Sequence, residues 1–588
     1  MSYAARVDEM VFALETVAGL ADAREAGVGA HISAEDTRAI LTEVGRFAED
    51  KLAPLNTVGD HEHARLQNGT VTTPSGWKEA YGAWVEAGWG SLTGDPEYGG
   101  QGLPMSLQVA AADVWNQANA SFAINPILTV SAIEVLQLYG TEAQKATYLP
   151  KLISGEWSGT MNLTEPHAGS DLSTLKTRAE PDGERFRLFG QKIYITYGEH
   201  DLTDNIIHMV LARMADAPEG TRGLSLFLVP KVLVGEDGAL GAANDLQCVG
   251  LEKKLGLHGS PTCTMVYGAK GEGAVGYLVG APHQGLSTMF TMMNNARVQV
   301  GIQGAAIAER AFQHALSYAR ERRQGRASDW QEPGMAPIVH HPDVKRMLLT
   351  MKAFTEAARA ICYACAVAID RSHGDGPDAA FWHGRADLLT PIAKAFATDT
   401  GTEVASLGVQ VHGGMGYIEE TGAAQHYRDA RIFQIYEGTN GIQSIDLLRR
   451  KITAQNGAVL AAYLKELGEI AEDARGSNAV ALSDAGHILT EAVAAVEGAA
   501  QRLTEMLADG ENDAALAGAT AFMRAMGLTA GGAYLCKAAL TAANGQSADR
   551  ANLARFFCAS QVASVTFLAG SAVNSGPSVN VPVEAIAH

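Results

Sequence analysis

The spacing of apolar residues changes character along this chain, and only a fold with both helical and sheet regions accommodates every pattern. Up to about Gly155 apolar side chains recur every three to four residues, as at Ile40, Leu41, Val44 and Phe47 or Ala111, Val114, Trp115 and Ala118. That spacing puts them on one face of a helix, and Pro and Gly gather between such stretches. From about Trp157 to Gly280 the runs shorten between turns: 186–189 after Asp182-Gly183, then 206–212, 224–229 and 262–267. These predict an antiparallel β domain. Helical spacing returns from about Leu286, through 289–323, 343–370 and 387–407, and Ala-rich amphipathic segments such as 458–473 and 485–507 follow. Gln455-Asn456-Gly457 reads as a boundary.

The predicted order is an N-terminal helical domain (1–155), a middle β domain (156–282), a helical bundle (283–455) and a C-terminal helical extension (456–588), a mostly α chain with a central β domain. At about one domain per 150 residues, 588 residues agree with four units, and 47% hydrophobic content can build large cores.

A net charge of -20 opposes binding to nucleic acid or anionic lipid, both of which need a basic footprint. The first 18 residues carry Asp8 and Glu9 ahead of a short apolar stretch, unlike a secretory signal, and no uninterrupted apolar run approaches the roughly 20 residues that span a bilayer. The expectation is a cytoplasmic protein without membrane insertion. Six irregularly spaced cysteines do not form a disulfide framework. Cys362 and Cys365 make a lone CxxC inside an Ala-rich helical run, which reads as buried small side chains rather than a metal site.

Several segments carry possible chemistry. In Ile435-Tyr436-Glu437-Gly438-Thr439-Asn440-Gly441 a carboxylate follows an aromatic and an apolar residue. Apolar surroundings disfavour its charged form and make it a stronger base, although Glu-Gly is equally a way of ending a helix. The run from Met161 to Asp171, with Thr164, Gly169 and Ser170, offers hydroxyls and close backbone approach to a phosphate-bearing ligand, or is a solvated loop. Tyr194 and Thr196 stand two apart, hence on one strand face. Arg297 and the run from Tyr318 to Arg326 concentrate positive charge, either as a solvated helix end or as a pyrophosphate clamp, and Gln410 to Tyr417 contains Gly413-Gly414.

Together these segments resemble the flavin-dependent acyl-CoA dehydrogenases over about residues 35 to 452. Tyr98 to Pro104, Tyr139 to Glu142, Thr164-Glu165-Pro166 with Ala168 to Asp171, and Arg428 to Arg431 through Gln443 fall where that family places them. The added N-terminal helix, Arg322 to Gly325, and the C-terminal extension are similar to the extended subgroup that includes 3-methylmercaptopropionyl-CoA dehydrogenases.

The resemblance implies FAD as cofactor, an acyl-CoA substrate, an electron-transfer flavoprotein as acceptor and a homodimer or homotetramer. It implies Glu437 as the base for the α-proton while the β-hydrogen leaves as hydride to flavin N5, with the Glu437 backbone N–H and a ribityl hydroxyl holding the thioester carbonyl. Met161, Leu163, Thr164, Gly169 and Ser170 would line the flavin and its phosphate, and Tyr194 and Thr196 would cover the ring. Arg322, Gln324, Gln410, Gly413, Gly414 and Thr439 would meet the adenine dinucleotide, partly across a subunit interface, and Asn294, Arg297 and Gly438 would flank the acyl-CoA.

Some members carry the base one residue before Arg297, but Ala296 stands there and cannot take a proton. Tyr194, Gly441 and Asn294 depart from commoner Trp, polar and Asp residues, and an apparent insertion at 326–338 leaves His340 and His341 unassigned. Two alternatives differ in class, an acyl-CoA oxidase and a catalytically weak DNA-binding flavoprotein, and a medium- or long-chain fatty acyl-CoA is the alternative substrate to a short one such as 3-methylmercaptopropionyl-CoA. The acidic residues Glu466, Glu469, Glu472, Asp473, Glu491, Glu497 and Glu505 of the extension oppose DNA binding.

Overall fold

The computed structural model describes residues 3–586 apart from 236, 375, 377, 543–545 and 580. Its described strands are β1 (Arg65–Gln67), β2 (Thr70–Thr72), β3 (Trp157–Asn162), β4 (Arg178–Asp182), β5 (Arg185–Thr196), β6 (Asn205–Met214), β7 (Leu224–Pro230), β8 (Val232–Val234), β9 (Leu240–Ala243), β10 (Leu246–Leu251), β11 (Thr262–Tyr267) and β12 (Ala274–Val279). Eight of them form one sheet in the order β10-β11-β5-β12-β7-β6-β3, with β4 against β5 and β6. β1 and β2 make a hairpin in the region expected to be helical throughout. The expected antiparallel pairing holds from β10 to β6, but β3 runs parallel to β6, as β4 does over two residue pairs. After β3 the chain completes the β4–β5 hairpin and returns as β6 in the direction of β3.

The described chain folds as two compact units. The sheet unit comprises Arg46–Pro104 and Ala118–Ala296; the helical unit comprises the residues up to Gly45, Met105–Gln117 and the chain from Arg297 onward. In the sheet unit both sheet faces are covered, and the strands alternate accordingly. β6 sends Ile207, Met209 and Leu211 into a cluster with Leu136, Leu149 and Met289 from helices, and sends Val210 and Ala212 into another with Leu188, Met265 and Tyr267. β7 divides the same way, Leu226 and Leu228 to the first and Phe227 and Val229 to the second. Burial on both faces explains why these strands read as continuous apolar runs.

The helical segment Met105–Tyr139 breaks at Asn119, whose φ is -159° and ψ 93°. The Asn119 side-chain oxygen accepts the Phe122 N–H at 3.0 Å and so caps the restarted helix from within. In the helical unit the helices Pro342–Ser372 and Ala379–His412 are buried along most of their length. The helix Gly285–Glu321 approaches the second of these closely at Gly304, where a Cβ would lie 2.2 Å from the Ala397 carbonyl oxygen. Arg359 pairs with Asp113 at 2.6 Å and Glu309 at 3.3 Å in a buried triad, and Asp370 accepts the N–H groups of Met105 and Ser106. The extension is helical: Ala458–Arg475, Val480–Ala508, Ala519–Thr541, Ser547–Ser560 and Val565–Asn574.

Among the described residues two helical stretches are long and apolar enough to cross a membrane by length and composition, although neither is an uninterrupted apolar run. The most apolar window of Met105–Tyr139 is 83% buried as core, against 33% for Ser547–Asn574. Cys362 and Cys365 are buried in the helix Pro342–Ser372, and burial pushes the Cys365 thiol up to about 12.

Candidate active site

The segment carrying Glu437 is a tight reversal between two helical pieces. A 3-10 turn, Arg431–Gln434, ends with the N–H groups of Ile435 and Tyr436 both donating to the Ile432 carbonyl. Glu437 (φ 55°) and Gly438 (φ 84°) are then both left-handed, and the helix Asn440–Asp446 starts afresh. A non-glycine residue in that region is strained by roughly 1–3 kcal/mol and persists only where its surroundings hold it. Here they do. Gln443 Nε2 donates to both the Glu437 and Gly438 carbonyls at 3.2 Å, and Arg297 Nε reaches the Glu437 carbonyl at 3.4 Å. Lys394 Nζ donates to the Gly438 carbonyl at 2.9 Å, and the Tyr436 hydroxyl donates to Gln303 Oε1. A Cβ on Gly438 would lie 2.7 Å from Gln443 Nε2, so glycine is required there by conformation and by space. Among the described residues no acceptor pairs with the Glu437 N–H.

Glu437 keeps part of its surface open, yet the protein packed around it is dense enough that burial pushes its carboxyl above the ordinary range. Arg297 first and Lys394 second oppose that rise. Arg297 is itself buried, with Asp446 and Glu437 as the charges that favour its ionised form. Lys394, also buried, is pushed down to about 7 by desolvation.

The other residues singled out from the sequence divide between the units. In the sheet unit Met161 is buried in β3, Leu163 and Thr164 are half-buried just beyond it, and Gly169 and Ser170 are exposed. Tyr194 and Thr196 lie at the end of β5, but simple alternation does not hold there. The β5–β11 register shifts across Ile193 and Tyr194, and Tyr194 has φ 60° and is 60% exposed, while Thr196 is half-buried. This bulge turns the phenol outward, so spacing by two does not by itself put the pair on one face. Asn294 is half-buried; its neighbour Asn295 donates to Glu134 at 2.6 Å, and burial pushes the Glu134 carboxyl up to about 6.

In the helical unit Arg322, Gln324, Gln410, Gly413 and Gly414 are exposed and Thr439 is half-buried. The 326–338 segment folds back on the turn that follows Arg322: Gln324 N–H donates to Ala336 and Ala336 N–H to Gly325. His341 Nε2 lies 2.7 Å from the Gln324 carbonyl oxygen, and His340 lies beside Asp329 and Trp330, which gives both unassigned histidines a structural place. The side chains of Thr164, Ser170, Tyr194, Thr196, Arg322, Gln324, Gln410 and Thr439 make no hydrogen bond within the described chain.

Sequence reasoning missed the groups that brace these loops. Lys192, wholly buried, donates to the Leu163 carbonyl and to Glu165 Oε1, both at 2.9 Å, and Glu165 also accepts from Thr177 and the Lys176 N–H. Glu165 is therefore a clamp on the Thr164 loop rather than a ligand group. Lys394 had one sequence signal, a lone charge within the apolar run Pro391 to Ala397.

Comparisons with known proteins agree along the chain. The acyl-CoA dehydrogenase N-terminal, middle and C-terminal domain families match residues 34–156, 160–268 and 283–452, and an acetyl-CoA dehydrogenase C-terminal-like family matches 463–580. The chain is 48% identical over 550 residues to the 3-methylmercaptopropionyl-CoA dehydrogenase of Ruegeria pomeroyi, covering 92% of each. It is 34% identical to a broad-specificity linear acyl-CoA dehydrogenase of Mycobacterium tuberculosis, over 87% of this chain and 85% of that one. Its fold resembles that of an acyl-CoA dehydrogenase from Bacillus anthracis solved with FAD, with a TM-score of 0.72 at 22% identity, over 94% of this chain and 90% of that one. The chain belongs to the acyl-CoA dehydrogenase family of oxidoreductases.

Proposed function

We propose that this enzyme carries out FAD-dependent α,β-dehydrogenation of an acyl-CoA thioester to the trans-2-enoyl-CoA, with Glu437 as the base that takes the α-proton. The observation that carries this reading is the Glu437 turn: a partly open carboxylate whose basicity burial increases, on a strained backbone held by Arg297, Gln443 and Lys394. General-base catalysis by a positioned carboxylate contributes about 10²- to 10⁴-fold. The Glu437 N–H, which has no acceptor in the described chain, is available to polarise the thioester carbonyl and stabilise the charge that develops when the α-proton leaves.

The donor set fits FAD. The sheet unit presents the free hydroxyls of Thr164, Ser170, Tyr194 and Thr196 beside apolar Met161 and Leu163, suited to an aromatic ring and a polar ribityl phosphate arm. The helical unit presents Arg322, Gln324, Gln410 and Thr439 with free polar groups, and Gly413 with no atom within 4 Å of where its Cβ would lie, suited to a dinucleotide. Bound FAD would supply the acceptor for the β-hydrogen as hydride. Asn294, Arg297 and Gly438 are assigned to the acyl-CoA side.

A short acyl-CoA, 3-methylmercaptopropionyl-CoA foremost, is the proposed substrate, supported by the 48% identical relative. Because each methylene changes discrimination by only about 1–3 kcal/mol, chain length is decided by assay. A bleaching screen across acyl-CoA lengths should peak at short chains; a maximum at C8 or beyond would replace that substrate. An electron-transfer flavoprotein is the proposed acceptor, in a homodimer or homotetramer. Rapid oxygen consumption during turnover would instead mark an oxidase.

The test of the base is Glu437→Gln, which should retain FAD and lose anaerobic bleaching by at least about 100-fold. Near-normal bleaching would move the base elsewhere.

A further inference from the structure

Lys394 is 0% exposed on the helix Ala379–His412, flanked by Ile392, Ala393, Ala395 and Phe396, all buried. Its Nζ lies 2.9 Å from the Gly438 carbonyl oxygen and 2.9 Å from Asn440 Oδ1. Asn440 Nδ2 in turn donates to Thr398 Oγ1 at 3.0 Å and Asp399 Oδ1 at 2.8 Å, and Gln434 Nε2 donates to the same Asp399 oxygen at 2.5 Å. The residues on either side of Glu437 are thus fastened to two successive turns of one helix, the ammonium holding the centre and the carboxylate the ends.

A buried ammonium whose direct partners are a carbonyl and an amide carries a large desolvation cost, and an apolar side chain would fill this apolar helix face without it. The charge therefore needs a use, and Glu437 is the carboxylate one residue from the carbonyl it holds. We propose that Lys394 is the positioning residue of the base: it locks the left-handed turn at Gly438, and in its ammonium form it favours the ionised Glu437 carboxylate. This rests on the assignment of Glu437 as base.

The charged and titratable groups facing the turn are Arg297 on Gly285–Glu321, Lys394 and Asp399 on Ala379–His412, Asp446 on Asn440–Asp446, and the adjacent Tyr436 phenol. Lys394 and Arg297 both act to lower the Glu437 pKa against the burial that raises it. Arg297 also answers to Asp446, whereas Glu437 is the leading charge on Lys394.

The experiment compares Lys394→Met and Lys394→Arg by the pH dependence of anaerobic flavin bleaching. A second reading, independent of turnover, is difference infrared titration of the carboxyl band that Glu437→Gln removes. With the charge gone, the acid limb and the infrared midpoint should both move up by about one pH unit, so bleaching falls by up to about tenfold on the acid side of the native midpoint and recovers at higher pH. Lys394→Arg should keep both midpoints near their original positions. Lys394→Gln, one atom shorter but with a donor and no charge, is read the same way, so that misfolding of the Met variant leaves the comparison intact. Unmoved midpoints in the uncharged variants, or a loss uniform across pH, would assign Lys394 to scaffolding alone and overturn the proposal. Near-normal bleaching by Glu437→Gln would withdraw the base itself, a separate result.

Discussion

Each unit buries a lysine beside a loop that carries candidate site residues, and the two are partnered differently. In the sheet unit Lys192 faces Glu165 at 2.9 Å within a fully hydrogen-bonded carboxylate cage, and desolvation pushes it down only to about 8. In the helical unit Lys394 has a carbonyl and an amide as direct partners and falls to about 7, desolvation outweighing the Glu437 and Asp399 charges that favour its ionised form. The first charge is spent on structure: it closes the loop that holds Leu163 and Thr164. The second lies one residue from the partly open Glu437, through the Gly438 carbonyl it holds. A buried cation answered inside its own ion pair is explained by the scaffold alone, whereas one held by a carbonyl and an amide beside a strained, partly open glutamate is the candidate for a role in the proposed chemistry.

The largest stability effect should come from breaking the sheet-unit pair. Lys192→Met strands the Glu165 carboxylate in the core and should cost about 3–5 kcal/mol, read by chemical denaturation, while the double variant with Glu165→Gln should recover part of that loss. Equal losses in the single and double variants would show that the pair is not the unit of stability.

Next in size is Gly438→Ala, which meets both a positive φ and Gln443 at 2.7 Å. It should cost about 2–3 kcal/mol and slow bleaching, because the strain falls beside the base. Unchanged stability and rate would show that the turn tolerates a side chain.

The smallest effect is a pH term in the helical unit. Burial raises Asp370 to about 6 although it caps Met105 and Ser106. Its folded pKa exceeds the unfolded value of 3.8, so its contribution is full below about pH 4 and is lost as pH rises through 6. Asp370→Asn should flatten the stability curve across that window; an unaltered slope would contradict the assignment.

Where a residue's neighbours lie close in sequence, its role was legible. The 3.6-residue period over 289–323 corresponds to the helix Gly285–Glu321, and the run 262–267 to β11, because burial of one helix face or of both sheet faces is written directly into apolar spacing. Around Glu437 the sequence showed only the adjacent Ile435 and Tyr436, and not the buried Arg297 and Lys394 that the fold brings to its turn. The hairpin β1–β2 was not legible, since its two three-residue strands bury a single side chain, Val71. Nor was the break at Asn119, made by a side-chain cap without Pro or Gly, or the bulge at Tyr194, set by the register of β11. The parallel pairing of β3 with β6 and the 44-residue separation of Lys394 from Gly438 are long-range facts that local spacing does not encode.

Whether Glu437 takes the α-proton is decided by anaerobic stopped-flow mixing of the FAD-loaded protein with acyl-CoA. The native protein's flavin absorbance should bleach, along an acid limb lying above the ordinary carboxylate range, and Glu437→Gln should bleach at least about 100-fold more slowly with its FAD retained. Bleaching at similar rates in the two proteins, with the same pH dependence, would contradict Glu437 as the base.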